Sequence, residues 1–256
     1  MLDQITKDNL WVVTDFDRTL TRWGWETAFS VFKSCPSIPE WLKEAQRGSY
    51  LKYRPIEVDL WMDPAERNRH MQDWHKEAMD AFHTYLTEER LHDAIQYAQE
   101  HIRLREGMLD FTHRMSELWV PLIVSSAWVS NVIEWVLDHN WVPHRGIHGN
   151  SLKFDSQGRF IWLNNETPVH NDDKNWWALP QYLIDAFSNR THFLVLWDAV
   201  WDVKMWPKDR ITHNVWFLLK DQKWHEKEFR DTFDHVIESD DCDRGFLEEV
   251  SWKIRG

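Results

Sequence analysis

Four short apolar runs, each rich in β-branched or aromatic residues, stand out along the chain. They cover residues 10–14, 119–124, 193–197 and 215–219. Their length and composition predict buried β-strands. The first three runs end directly before a polar side chain, at Asp15, Ser125 and Asp198. Because ligands bind at the carboxyl ends of strands in parallel α/β sheets, these side chains predict one polar site.

The stretches between these runs carry the periodicity of helices. Residues 129–139 place apolar side chains at helical spacing, and residues 63–104 are long, charged and free of strand patterns. The longer stretch predicts two or three helices between the first and second strands. Residues 151–163 alternate around a turn sequence of four residues, which predicts a β-hairpin.

These patterns predict an α/β fold in two parts. The chain has 256 residues and is 43% hydrophobic, which is enough for one sizeable core and an insertion. We expect a Rossmann-like core with a parallel sheet from residues 1–30 and 108–256. An inserted α-helical cap is expected from residues 31–107.

Charge and composition narrow the classes of partner. The formal net charge is -12, which disfavours DNA, RNA and acidic membranes, although a small anion can still bind in a local positive pocket. No apolar run approaches the ~18 residues of a membrane span, the N-terminal residues do not resemble a signal peptide, and Cys35 and Cys242 form no paired motif. We therefore expect a cytoplasmic protein that binds a small molecule. The oligomeric state is open, with a monomer as the expectation.

The segment from Asp15 to Thr19 carries the strongest chemical signal. Asp15 and Asp17 lie one residue apart directly after a predicted strand, so their side chains face opposite ways and can take different roles. One carboxylate can act as a nucleophile and the other as a general acid for the leaving group. Two such carboxylates alone are also typical of a solvated turn. The preceding strand and the Thr-Leu-Thr that follows favour an active site.

Four segments resemble, in order, the signature motifs of the haloacid-dehalogenase-like (HAD) phosphohydrolases. They are residues 15–19, 124–127, 171–174 and 196–202. The resemblance implies a hydrolase in which Asp15 forms an aspartyl-phosphate and Asp17 acts as acid and base. It also implies a Rossmann-like core and a Mg²⁺ cofactor.

The same resemblance implies the residues that hold the phosphate and the metal ion. Ser126, Ala127 and Lys174 would bind the phosphate group. The ligands of Mg²⁺ would be Asp15, the carbonyl of Asp17, and Asp198. Asp202 would support these ligands without contacting the ion itself. Hard oxygen ligands of this kind suit Mg²⁺.

Further segments resemble the cytosolic type-three branch of the pyrimidine 5′-nucleotidases. They are residues 33–37, 56–59, 71–74, 104–107, 154–155 and 169–171. This branch has a helical cap and hydrolyses nucleoside 5′-monophosphates, chiefly those of pyrimidines. Asp73 stands where the branch has a glutamate that contacts the nucleobase. Asp73 is therefore either a base contact or an ordinary exposed helix carboxylate.

Tryptophan stands where the family has glycine at several motif positions. The chain has 19 Trp and 8 Gly, whereas average usage would give roughly 18 Gly. The affected positions are Trp128, Trp197 and Trp201, with Trp141 and either Trp176 or Trp177 as further candidates. An indole there can block the phosphate or crowd the metal site. Two alternatives therefore stay open: a weak or inactive member of the fold, and a phosphatase for another small phosphorylated metabolite.

Overall fold

The computed structural model describes residues 4–59, 61–164, 168–170, 174, 179, 181–186, 188–199, 210–238 and 244–254. Its strands are β1 (Leu10–Thr14), β2 (Leu122–Val129), β3 (Gly146–Asn150), β4 (Leu152–Phe154), β5 (Phe160–Leu163), β6 (His192–Trp197), β7 (Ile211–Phe217) and β8 (His235–Ile237). Six of them form a parallel sheet in the order β3-β2-β1-β6-β7-β8. The antiparallel β4–β5 pair is the predicted hairpin. The α/β fold with a parallel sheet is confirmed.

The helices flank this sheet and fill the interval between β1 and β2. They are α1 (Val31–Ser34), α2 (Glu40–Glu57), α3 (Pro64–Tyr85), α4 (Glu88–His101), α5 (Met108–Glu117), α6 (Ser130–His139), α7 (Gln181–Ala186), α8 (Glu226–Thr232) and α9 (Arg244–Lys253). Helices α1 to α4 follow one another between the first two strands. The division into a core of residues 1–30 and 108–256 and a cap of residues 31–107 stays a prediction.

Both faces of the central strands are buried, as their sequence predicts. One core cluster contains the alternate residues Leu10, Val12, Leu194 and Leu196, and a second contains Trp11, Val13, Phe193, Val195 and Trp197. Trp11 and Phe193 are partners in the β1–β6 register, and their ring centroids lie 5.7 Å apart. Burial on both faces explains why these strands are continuous apolar runs rather than alternating ones.

Several predicted boundaries were wrong. The second strand was expected at residues 119–124, but β2 starts at Leu122 and continues to Val129. Residues 119 and 120, which were expected in the strand, instead close the end of α5. The observed strand β2 pairs with β3 from Ile123 to Val129. Helix α2 was not predicted as a separate element, since Gly48 and Pro55 interrupt its pattern. The short strands β3 and β8 were also missed.

Helices α2 and α3 are joined by polar contacts around Glu77. Its carboxylate accepts hydrogen bonds from Tyr53 Oη at 2.7 Å, Lys52 Nζ at 2.6 Å and Ser49 Oγ at 3.1 Å. The three bonds to Glu77 fix α2 against α3 and so determine which face of α2 is turned away from α3.

The start of α3 is capped by Asp63, whose side chain accepts hydrogen bonds from two backbone N–H groups of the first turn.

Two tryptophans occupy left-handed positions at the ends of helices. Trp119 follows α5 with φ 60°, and Trp141 follows α6 with φ 57°. After α5, the N–H of Trp119 donates to Ser116 O and the N–H of Val120 donates to Met115 O. The equivalent pair of bonds closes α6. This is the Schellman arrangement, whose left-handed position normally holds glycine because a Cβ there is strained.

We predict that Trp119→Gly and Trp141→Gly each raise the free energy of unfolding by ~1 kcal/mol. The gain comes from relieving left-handed strain of ~1–2 kcal/mol, less the entropy that glycine loses on folding. Little packing is lost, because the two side chains are 75% and 81% exposed. Urea unfolding curves measure the change.

Trp135→Gly is the matched control, since Trp135 is half exposed but lies inside α6. Glycine in a helix interior should cost ~1 kcal/mol there. Equal destabilisation by all three substitutions would contradict the assignment of strain to the two helix ends.

Candidate active site

The loop after β1 is held at the edge of the sheet by its neighbours. The backbone N–H of Asp15 donates to Leu196 O of β6 at 3.0 Å. The chain then makes one turn over Phe16–Leu20. The turn is closed by a hydrogen bond across five residues, in which the N–H of Thr21 donates to Phe16 O at 3.1 Å. Arg18 adopts φ 65° within this turn, and its N–H donates to Thr21 Oγ1. The loop therefore has a defined geometry on which two carboxylates are mounted.

Arg105 holds this turn in place through hydrogen bonds to its backbone carbonyls. Its side chain is 2% exposed, its Nε donates to Thr19 O at 3.0 Å, and its Nη2 donates to Arg18 O. The backbone N–H of Arg105 also donates to Leu20 O at 2.9 Å. A buried guanidinium that donates hydrogen bonds to the loop carbonyls holds the loop in one conformation. Residues 104–107, noted for their family resemblance, thus have a structural role beside the site.

Three carboxylates and one lysine meet at the carboxyl ends of β1 and β6. Asp15, Asp17 and Asp198 are buried, as is Lys174. Lys174 Nζ donates to Asp15 Oδ1 at 2.7 Å. The backbone N–H of Ala28 donates to Asp17 Oδ1 at 2.8 Å, while Asp17 Oδ2 has no hydrogen-bond partner within the described part of the chain. Four of the predicted site residues are therefore neighbours.

Burial and mutual repulsion shift the titration of these groups. Burial raises the pKa of Asp17 to about 7, and the negative charge of Asp15 adds to the shift. The same causes raise the pKa of Asp198 to about 7. Burial also raises the pKa of Asp15, against the opposing effect of Lys174. A cation bound by the carboxylates of Asp15 and Asp198 would reduce their repulsion and keep those two groups ionised.

The donor set fits Mg²⁺ in its chemistry. Mg²⁺ prefers oxygen ligands, is bound through one or two carboxylates and keeps several waters. Asp15 and Asp198 supply two carboxylates, and the Asp17 carbonyl is a further oxygen. Among the described residues, no group of three His, Cys, Asp or Glu side chains is arranged to hold a metal ion. A site of two carboxylates and a carbonyl does not require such a group, and Asp202 lies outside the described residues.

A cavity of about 440 Å³ opens above the carboxylates. Its lining includes Asp15, Asp17, Arg18, Trp23, Phe29, Lys33, Gln46, Tyr50, Arg54, Glu57, Trp74, Trp128, Lys174 and Asp198. The carboxylates lie at one part of the wall, and polar and aromatic side chains of helices α2 and α3 lie at another. The cavity can hold a molecule with an anionic end and a planar or polar end.

One face of α2 supplies residues that the sequence analysis missed. Gln46, Tyr50, Arg54 and Glu57 follow one another at spacings of four, four and three, and all line the cavity. This spacing places them on one helical face. Arg54 Nη1 lies 2.7 Å from Glu57 Oε2. The spacing was visible in the sequence, but it combines polar and aromatic residues and so resembles neither a core stripe nor a motif.

Trp128 forms part of the cavity wall. Its ring stacks on Phe29 at a centroid distance of 4.1 Å and on His75 at 4.6 Å, and it meets Trp74 edge-on at 5.3 Å. Trp197 behaves differently, since its indole is fully buried in the second core cluster and does not line the cavity. Any obstruction by these two tryptophans is therefore expected at position 128. Trp176, Trp177 and Trp201 lie outside the described residues.

The structure separates three other predicted residues from the cavity wall. Ser126 and Ala127 are buried within β2, and Ser126 Oγ accepts from the N–H of Trp128 at 3.2 Å. Ser126 does not cap α6, whose N-cap is Val129. Asp73 is exposed on α3 and does not line the cavity, whereas the adjacent Trp74 does. The roles proposed for these three residues stay predictions, and residues 171–173 lie outside the described residues.

Comparison with known proteins places this site in a family. Residues 19–249 match the family model described as pyrimidine 5′-nucleotidase (UMPH-1). A 7-methylguanosine phosphate-specific 5′-nucleotidase of Drosophila melanogaster is 27% identical over 244 residues, which cover 91% of this chain and 76% of that protein.

Solved structures agree with this assignment. Cytosolic 5′-nucleotidase IIIB bound to cytidine superposes with a TM-score of 0.82 and 25% identity, covering 98% of this chain and 87% of that one. A substrate-bound phosphoserine phosphatase, at 13% identity, shares the fold with a TM-score of 0.59 over 96% of this chain and 99% of its own. The family resemblance and the enzyme class inferred from sequence are confirmed. The chain belongs to the pyrimidine 5′-nucleotidase family, and it is a 5′-nucleotidase of the HAD-like α/β fold.

Proposed function

We propose that the protein is a Mg²⁺-dependent hydrolase of nucleoside 5′-monophosphates that works through an aspartyl-phosphate on Asp15. The observation that carries the proposal is the buried contact of Asp15 with Lys174, beside an Asp17 oxygen without a hydrogen-bond partner among the described residues. A nucleophile, a fixed cation and an acid lie together at one end of a cavity that fits a small molecule.

The reaction proceeds in two transfers at phosphorus. In the first, a carboxylate oxygen of Asp15 forms a bond to phosphorus, and the bond from phosphorus to the 5′ oxygen breaks. Asp17 donates its proton to that oxygen, and a pKa of about 7 leaves Asp17 partly protonated near neutral pH. In the second, Asp17 removes a proton from a water molecule that attacks phosphorus. The Asp15 carboxylate then leaves, and inorganic phosphate is released.

Positive charge in the site stabilises the phosphoryl group during both transfers. Lys174 holds Asp15 in position and neutralises part of the phosphate charge. Asp15, the Asp17 carbonyl and Asp198 would hold Mg²⁺, which would supply further positive charge to the phosphoryl oxygens. Ser126 and Ala127 are proposed to contribute hydrogen bonds to the same oxygens.

The substrate class follows from the wall opposite the carboxylates. Tyr50 and Trp128 offer aromatic surfaces on which a nucleobase can stack, and Trp74 lies beside both. The family description names pyrimidine nucleotides, and the Drosophila relative is named for 7-methylguanosine phosphate. We propose pyrimidine 5′-monophosphates as preferred substrates, with 7-methylguanosine 5′-monophosphate as the competing candidate. Asp73 is proposed to contact the base.

The cellular setting of the proposal is the cytoplasm. The net charge of -12 disfavours a nucleic-acid polymer as partner. No helix in the described part of the chain is long and apolar enough to cross a membrane. A monomer bound to a nucleotide is the proposed working state.

The second candidate is a catalytically weak member of the family. The observation in its favour is the Trp128 indole, which lines the cavity next to the two proposed phosphate contacts in β2. If Trp128 blocks the phosphate, Trp128→Gly raises the rate of phosphate release. If the indole only packs against Phe29 and His75, the substitution lowers stability without raising the rate.

Asp15→Asn is predicted to lower phosphate release from CMP by at least ~1,000-fold in the presence of Mg²⁺, because the amide cannot act as the nucleophile. A phosphate-release assay measures the loss, and circular dichroism checks the fold. Retention of a tenth of the parent rate by the folded variant would exclude Asp15 as the nucleophile.

Lys174→Met is predicted to lower kcat/KM for CMP by ~100- to 1,000-fold, since a fixed charge near the phosphoryl group is lost. Lys153→Met is the matched control, because Lys153 is exposed on the β4–β5 hairpin. A similar loss in both variants would point to a general effect of charge rather than to a site role.

Mg²⁺ is predicted to raise the midpoint of thermal unfolding of the ligand-free protein, since it binds the folded carboxylates and relieves their repulsion. Asp198→Asn removes one repelling charge, so it is at least as stable as the parent without Mg²⁺ and responds less to the ion. Asp110→Asn, on the exposed side of α5, is the control and keeps the full response. An undiminished response in Asp198→Asn would remove that residue from the metal site.

A further inference from the structure

The cavity wall contains a buried side-chain amide, that of Gln46. Gln46 is 3% exposed, and neither its Oε1 nor its Nε2 has a partner in the part of the chain that the structure describes. An amide buried in this way costs free energy, because its bonds to water are lost and nothing replaces them. A leucine would fill similar space without that cost, so the amide needs an explanation beyond packing.

A second buried polar side chain lines the same cavity. Trp74 is 3% exposed, lines the cavity, and its Nε1 has no hydrogen-bond partner among the described residues. Tyr50, one helical turn from Gln46 on α2, lies edge-on to Trp74 at a centroid distance of 6.3 Å. The Gln46 amide and the Trp74 N–H therefore have no hydrogen-bond partner among the described residues, and both belong to side chains of an aromatic cavity wall.

Position along α2 indicates which part of a substrate reaches Gln46. Gln46 and Arg54 both line the cavity and lie two turns apart, about 12 Å along the helix axis. Gln46 is only one turn from Tyr50, an aromatic side chain of the wall proposed to stack the nucleobase, so the substrate group nearest Gln46 is the base.

A planar primary amide presents a donor and an acceptor side by side. Nucleobases carry the complementary pair on their edges, which is why glutamine can pair with a base through two hydrogen bonds. A sugar hydroxyl satisfies only one of the two amide atoms at a time in the same geometry. The indole N–H of Trp74 adds a donor for a further ring oxygen or nitrogen.

We propose that the Gln46 amide, assisted by the Trp74 N–H, recognises the hydrogen-bonding edge of the substrate's nucleobase. This inference rests on the proposed function, because it assigns specificity within the same site. Selectivity then depends on satisfying buried polar atoms that have no partner within the described part of the chain. A substrate without a base gains nothing from them.

The test compares Gln46→Leu with the parent on CMP, 7-methylguanosine 5′-monophosphate and ribose 5-phosphate, which has no base. The ratio of kcat/KM for the better nucleotide to that for ribose 5-phosphate should fall at least tenfold, chiefly through KM. The midpoint of thermal unfolding should rise, because an unsatisfied amide has been removed. Gln96→Leu, at an exposed position on α4, should leave the ratio unchanged.

An equal loss on all three substrates, or no loss on either nucleotide, would overturn the assignment of Gln46 to the base. Failure of the proposed function has a separate signature, since the parent would then release phosphate from none of them. In that case, quenching of tryptophan fluorescence by cytidine and 7-methylguanosine decides the inference. Weaker binding of the nucleoside by Gln46→Leu than by the parent supports it, and equal binding refutes it.

Discussion

The confinement of three carboxylates in a buried space is the constraint on which this site depends. Parallel strands β1 and β6 are direct neighbours, so the residues that follow them, Asp15 and Asp198, must emerge at the same edge of the sheet. Burial raises the pKa of both groups, and repulsion by Asp15 raises that of Asp198 further. Lys174 offsets part of this cost, because its Nζ lies 2.7 Å from Asp15 Oδ1. In the proposed function a bound divalent cation would offset more of it, and the same groups would act on a phosphate ester.

The helices between β1 and β2 determine what lies opposite the carboxylates. Hydrogen bonds of α2 side chains to Glu77 hold α2 on α3, and the other face of α2 then lines the cavity. Trp128, from β2, packs against Phe29 and His75 and closes the wall between the sheet and these helices. Chemistry and selectivity are therefore carried by different elements, which allows one to change without the other.

The sequence was sufficient for the parts of the fold that rest on local patterns. Strands β1 and β6 are unbroken apolar runs that end in aspartates, so both the strands and the position of their carboxylates were predictable. Strand β3 contains two glycines and a histidine, and only its pairing with β2 makes it a strand. Helix α2 was missed because Gly48 and Pro55 interrupt its pattern. The role of its polar face was also missed, because that face lines a cavity that exists only when α2 lies beside α3.

The tryptophans show a different limit of sequence reasoning. At positions 119 and 141 the backbone keeps the left-handed conformation that suits glycine, and the indoles extend into solvent. At position 197 the indole is absorbed by a core that already contains Trp11 and Trp216. The resemblance to the family singled out positions 141 and 197 but not 119, and only the three-dimensional surroundings decide whether each indole is strained, buried or in the site.

The most direct test of the account is a search for the covalent intermediate. The enzyme is mixed with a nucleotide carrying a radioactive phosphate and with Mg²⁺, quenched in acid during turnover, and digested, and the labelled peptide is sequenced. The account predicts label on the peptide that contains Asp15 and no label in Asp15→Asn. Release of phosphate without a labelled Asp15 peptide, or label on another residue, would contradict it.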